Sequence, residues 1–130
     1  MRLLLDTHAF VWLASDLSKL PPAAKEAIAN SECLCISSAT PWEIGLLVRS
    51  GRVELPLPTA EYVDRAIARH ITEEIPIDRG IAIASTELPR IHNDPFDRIL
   101  VATAIAQDLV LVTRDEVISK YPEVRTIWSE

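Results

Sequence analysis

Three short apolar runs, Leu3-Leu4-Leu5, Cys33-Leu34-Cys35-Ile36 and Leu109-Val110-Leu111-Val112, contain no polar alternation. A strand with one face in water alternates apolar and polar residues. An unbroken apolar run is instead covered on both faces, as in a parallel sheet held between helical layers. Helical patterns separate the runs, which is the arrangement such a sheet requires.

The predicted strands are Arg2–Leu5, Cys33–Ser37, 74–77, 109–113 and 125–128, with Pro76 suited to an edge position. The spacing predicts helices over 7–14, over 22–30 with proline in the first turn, and over 41–50 closed by Gly51. Thr59 is expected to cap a helix carrying Tyr62, Val63, Ala66 and Ile67 on one stripe. Asp78 is expected to cap a short helix reaching Thr86; Pro95–Gln107 reads as a long helix and 115–120 as a short one. The 130 residues are read as one domain, 1–130, with enough chain to enclose a core.

No apolar stretch approaches the length of a membrane span; the run over 99–112 is broken by Gln107 and Asp108. Leu3-Leu4-Leu5 stops at Asp6, too soon for a secretion signal, so a cytoplasmic location is expected. Cys33 and Cys35 face the same way on one strand, with Cα atoms roughly 6.5–7 Å apart, at the limit for a disulfide. They read as buried structural thiols. Trp42 and Phe96 read as core residues beside their helix starts.

Parallel sheets bind ligands beyond the carboxyl ends of their strands. Asp6 directly follows the first strand, and Asp115 follows the fourth by two residues. Glu43 lies in Thr40-Pro41-Trp42-Glu43 and Asp97 in Asp94-Pro95-Phe96-Asp97, two segments with one grammar: cap, proline, aromatic, acid. Each acid alone has a local explanation, since Thr40 with Glu43 forms a capping-box pattern and Asp94 is a good N-cap. Together, Asp6, Glu43, Asp97 and Asp115 converge in such a fold and would repel one another unless a cation neutralised them. An all-oxygen set suits a hard ion, Mg²⁺ or Mn²⁺, and phosphodiester hydrolysis is the chemistry that fits. Three glycines in the chain and no phosphate-cradling loop argue against nucleoside-triphosphate chemistry.

The segments LLLDTHAFVW, ISSATPWEIGLLVRSGRVEL, HNDPFDRILVATA and LVLVTRDEVI together resemble the PIN domain, specifically VapC-type toxins of toxin–antitoxin pairs. The resemblance implies a three-layer α/β/α fold with a parallel, roughly five-stranded sheet, and a Mg²⁺- or Mn²⁺-dependent endoribonuclease. It implies that Asp6, Glu43, Asp97 and Asp115 are the catalytic and metal-binding acids. It also implies an RNA substrate, a cognate antitoxin covering the site, and a homodimer.

Thr7 and Thr113 are candidates to orient those carboxylates. Asp94 could approach the metal, although capping explains it. Arg98 and Arg114 could contact RNA phosphates or pair with acids; Arg49, Arg52, Arg79 and Arg90 read as surface. His8 and His92 lie near the motifs, but an oxygen-rich site has no call for an imidazole ligand. The formal charge of −6 argues against generic nucleic-acid binding and points to recognition by shape and exposed loops. The competing readings are a non-catalytic α/β interaction module, a DNA-directed nuclease, and an aspartyl phosphotransferase. The last lacks the second acid two residues after Asp6, where His8 stands.

Overall fold

The computed structural model describes residues 1–129. Strands β1 (Arg2–Leu5), β2 (Cys33–Ser37), β3 (Glu73–Ile75), β4 (Val110–Val112) and β5 (Thr126–Ile127) form one sheet in the order β3-β2-β1-β4-β5. Every pairing is parallel, with Leu4 opposite Cys35 on one side and Leu111 on the other. The expected parallel five-stranded sheet is therefore present.

The unalternating runs follow from two cores of equal dryness. Leu3, Leu5, Leu34, Ile36, Val110 and Val112 point to one face, where they pack with Phe10, Ala24, Ile44, Tyr62 and Val63. Leu4, Cys35 and Leu111 point to the other, against Ile81, Leu100, Val101 and Ala104. The first face is covered by α1 (Thr7–Ser15), α2 (Pro22–Ala29), α3 (Ala39–Arg49) and α4 (Thr59–His70). The second is covered by α5 (Arg79–Glu87) and α6 (Pro95–Gln107). Leu3, Leu4 and Leu5 are fully buried, and each such side chain stabilises the fold by roughly 1.5–3 kcal/mol.

Several local expectations are corrected. Helix α3 begins at Ala39 rather than Pro41, its N-cap Ser38 makes no side-chain cap bond, and the Thr40–Glu43 capping box does not form. Pro58, not Thr59, precedes α4. The strand expected over 74–77 runs Glu73–Ile75 at the sheet edge, and Pro76 lies just past its carboxyl end. Only Ile118–Lys120 of the 115–120 segment is helical, as a single 3₁₀ turn. Trp42 is not a core residue: it is 55% exposed and meets Phe96 edge-on, ring centres 4.7 Å apart. The cysteines are free thiols with sulfurs 3.4 Å apart, and burial foremost, then Cys33, pushes Cys35 up to about 12.

What matters for the site is the order of the strands. The chain leaves β1 outward through β2 to β3, then returns past β1 to lay down β4 and β5. The crevice where that direction reverses lies beyond the carboxyl ends of β1 and β4. Asp6 continues the ladder there, its N–H donating to the Val112 carbonyl at 3.1 Å.

Candidate metal-binding and catalytic cleft

A cleft of about 260 Å³ opens at this reversal point. It is lined by the carboxylates Asp6, Glu43, Asp94, Asp97 and Asp115, and also by Thr7, His8, Trp12, Arg114 and Trp128. All four acids expected from the sequence thus share one cavity with Asp94, Thr7 and Arg114.

The local explanations and the site do not exclude each other, because a carboxylate has two oxygens. Asp6 Oδ1 accepts from the Ala9 N–H at 2.7 Å, capping α1. Asp94 Oδ1 accepts from Phe96 and Asp97 N–H, capping α6. Asp115 Oδ1 accepts from Val117 and Ile118 N–H, leaving Oδ2 turned to His92. Backbone anchoring of one oxygen fixes where the other can reach.

Hydroxyls complete the positioning. Thr7 Oγ1 donates to Glu43 Oε1 at 2.5 Å and lies 3.4 Å from the buried Thr40 hydroxyl. Thr113, itself buried, hydrogen-bonds the Asp6 carboxylate and accepts the Asp115 N–H at 3.1 Å. Both threonines therefore touch site acids, as the sequence suggested they could.

His92 is the residue whose part the sequence reading understated. Its Nε2 lies 2.8 Å from Asp115 Oδ2 and 3.1 Å from Asp97 Oδ2. Its Nδ1 accepts the Asp94 N–H at 3.1 Å, so the ring proton resides on Nε2. In this tautomer neither nitrogen has a lone pair free for a metal, and the imidazole acts as a donor clasping two carboxylates. The available signal was position: His92 stands two residues before the cap of the helix that carries Asp97.

Arg98 is not brought to the cleft. Its guanidinium donates to the carbonyls of Ser85, Leu88, Pro89 and His92, at 2.9–3.1 Å. None of these partners is an acid of the cleft, and the side chain ties the loop holding His92 to α6. Tyr121 closes the same knot, its hydroxyl accepting the His92 N–H and donating to the Pro89 carbonyl. Arg114 does line the cleft, exposed, with its guanidinium 5.1 Å from the Trp12 ring centre. Arg49, Arg52, Arg79 and Arg90 are exposed and lie outside the cleft.

The electrostatics are those of a site short of positive charge. Among the described residues, no Lys or Arg forms an ion pair with a cleft acid. Burial, reinforced by Asp94, Asp115 and Glu43, pushes Asp97 up to about 7 against the pull of His92. Burial likewise raises Asp6, despite the Thr113 and Ala9 bonds, and raises Glu43, despite Thr7. Asp115 is the exception: burial lifts it, but the His92 bond and two backbone N–H groups outweigh that and hold it below the ordinary range. Nε2 of His92 and one oxygen each of Asp97 and Asp115 lie within 4.8 Å of one another, while Asp6 and Glu43 line the cleft without joining that trio. Raised carboxylates with oxygen donors only, and an imidazole with no nitrogen to offer, fit a hard divalent cation.

The PIN domain family model matches residues 3–124. Ribonuclease VapC22 of Mycobacterium tuberculosis is 29% identical over 128 residues, which covers 96% of this chain and 97% of that protein. VapBC2 from Rickettsia felis, solved bound to a DNA fragment from its promoter, superposes with a TM-score of 0.70 at 18% identity, covering 99% of this chain and 100% of that one. A toxin–antitoxin complex from Klebsiella pneumoniae superposes at 0.64 and 24% identity, covering 94% of both chains.

Proposed function

The chain belongs to the PIN domain family, and on that premise we propose that it is a divalent-metal-dependent endoribonuclease, the toxin of a toxin–antitoxin pair. The observation that carries this reading is the cleft itself: five carboxylates gathered beyond the carboxyl ends of β1 and β4, with Asp97 raised to about 7 and, among the described residues, no Lys or Arg paired to them. The full-length similarity to a protein named a ribonuclease selects RNA as the substrate, and the similarity to a toxin–antitoxin complex selects the partner.

Asp6, Glu43, Asp97 and Asp115 would hold Mg²⁺ or Mn²⁺. When bound, the ion lowers the pKa of a water and stabilises charge on the phosphoryl oxygens. The chain's own residues prepare the site for it. Thr113 holds Asp6 and Thr7 holds Glu43, so neither carboxylate needs to reorganise. His92 Nε2–H keeps the facing oxygens of Asp97 and Asp115 together, limiting their repulsion before an ion arrives. Arg114 places one exposed positive charge at the mouth, where a phosphate would approach.

The net charge of −6 then limits non-specific RNA affinity, and bound divalent ions would offset most of it. No helix among the described residues is long and apolar enough to cross a membrane, which agrees with a cytoplasmic protein acting on cellular RNA. We take 1–130 as a single nuclease domain that works as a homodimer and is restrained by its antitoxin.

The test is incubation of antitoxin-free protein with a pool of small structured RNAs in Mg²⁺, Mn²⁺ or EDTA. Discrete cuts in either metal and none in EDTA are expected. Intact RNA in every arm, with no metal-dependent rise in melting temperature, would instead support a non-catalytic interaction module.

A further inference from the structure

The part of the cleft lining that is not acidic has the composition of a nucleotide-binding surface. Trp12 lies at its centre, with ring centres of His8 and Trp128 each 5.7 Å away. The Arg114 guanidinium lies 5.1 Å and the Lys19 ammonium 5.9 Å from the same ring. Both cations are exposed, as is His8, while the two tryptophans are half-buried against the core. In a chain with six more acidic than basic residues, two cations therefore converge on one aromatic side chain that lines the same cleft as the carboxylates.

This asymmetry has a chemical consequence. The carboxylates repel a polyanion, so they can hold the scissile phosphate only through bound cations. The strand must be anchored elsewhere, by groups that attract phosphate and present flat faces to bases. Aromatic rings give sequence-tolerant stacking, and arginine adds both charge and a planar face. A duplex does not expose its base faces, so such a wall selects single-stranded nucleotides.

We propose that His8, Trp12, Arg114 and Trp128 form a subsite for one single-stranded nucleotide next to the bond that is cut, with the base stacked on the tryptophan surface and its phosphate held by Arg114. This rests on the nuclease reading of the cleft and adds to it the residues that grip the substrate. Trp12 and Arg114 act in this scheme as substrate-binding residues. Lys19 extends the positive track outward from the cleft.

The test separates binding from cutting. A labelled single-stranded oligoribonucleotide of about twelve nucleotides and an RNA duplex of equal length are titrated against protein carrying Asp97→Asn, in Mg²⁺, by fluorescence anisotropy. Adding Trp12→Ala is expected to weaken single-strand binding roughly 5- to 150-fold, the range found for loss of one stacked base. Trp12→Phe should recover most of it, and duplex binding should change by less than about twofold. Because Trp12 also packs on the core, Arg114→Ala supplies a second test at an exposed position. It should reduce the slope of log affinity against log salt by about 0.7, one single-strand phosphate.

Single-strand binding that is absent in the parent, or unchanged in both variants, overturns the subsite. Equal losses for single strand and duplex do the same, since they indicate a general structural effect. Displacement only of an antitoxin segment, with RNA affinity intact, assigns the wall to the protein partner and overturns the proposal. Cutting by the wild-type chain combined with unaltered binding by these variants would sink the subsite while leaving the nuclease standing. Trp12-dependent binding without any cutting would do the reverse.

Discussion

The backbone N–H of Asp94 donates to His92 Nδ1 at 3.1 Å, and this one bond determines which nitrogen of the imidazole carries the proton. The protonated Nε2 then faces Asp115 at 2.8 Å and Asp97 at 3.1 Å. A helix cap thereby sets the tautomer of a histidine, and the histidine holds two acids of the cleft in register.

Replacing His92 with Ala leaves Asp97 and Asp115 facing each other without a donor between them. Metal-free protein should lose on the order of 1–3 kcal/mol, the usual consequence of removing a partner from buried polar groups. Saturating Mg²⁺ should recover most of that loss, because the ion binds only the folded state and neutralises the same oxygens. Calorimetry of both proteins in EDTA and in Mg²⁺ checks this; an equal deficit in both conditions would mean that the histidine serves packing alone.

The metal-free protein should become less stable as pH rises from about 4 to about 7. A folded carboxylate whose pKa is raised keeps a proton that the unfolded chain has already lost, so stability declines between the two values. Asp97, raised from 3.8 to about 7, sets this window, and Asp6 and Glu43 act in the same direction. Asp115 is lowered, so its contribution is present above its unfolded value and disappears only at more acidic pH. Melting temperatures in EDTA across this range should fall, less steeply for Asp97→Asn. A flat profile would contradict the crowding of carboxylates described above.

Thr7→Val removes the hydroxyl that holds Glu43 while keeping the shape of the side chain. Groups that orient a ligand typically account for 10- to 100-fold in metal affinity or activity, and a loss of about that size is expected here. Thr7→Ser should retain most of the wild-type rate. Comparable losses for Val and Ser would indicate that the methyl group, not the hydroxyl, is what matters.

Much of this architecture was legible in the sequence. Leu3-Leu4-Leu5 and Leu109-Val110-Leu111-Val112 lack alternation because both sheet faces are dry, so the parallel sheet could be read directly. Asp6 and Asp115 follow those strands, and the strand order brings their ends together. The start of α3 was misread because Pro41 looks like a first-turn signal. It is the third residue of the helix, and the first four N–H groups have no intrahelical partner, so proline costs nothing there. The role of Arg98 was not legible, since its four carbonyl partners lie in the last turn of α5 and the loop that follows it, a stretch with no distinguishing local pattern. Trp12 follows His8 by one helical turn from the Asp6 cap, a hint that was available; Trp128 joins them only through the tertiary fold.

Arg98→Lys tests the structural role. Lysine keeps the charge but not the planar fork that reaches several carbonyls, so stability should fall by about 1–3 kcal/mol. The salt dependence of RNA binding should stay as in the wild type. A reduced salt slope with unchanged stability would return Arg98 to the phosphate-binding role that its place beside Asp97 suggests.

The most direct test of the central claim is single-turnover cleavage of a responsive RNA by wild-type chain, Asp6→Asn and Asp97→Asn in Mg²⁺, with melting temperatures measured on the same samples. Chemistry at these acids requires cutting by the wild type, a loss of at least about 100-fold in both variants, and folded protein throughout, because each Asn removes a carboxylate charge without removing bulk. Undiminished cutting by folded Asp6→Asn and Asp97→Asn would contradict it and place the chemistry outside this cleft.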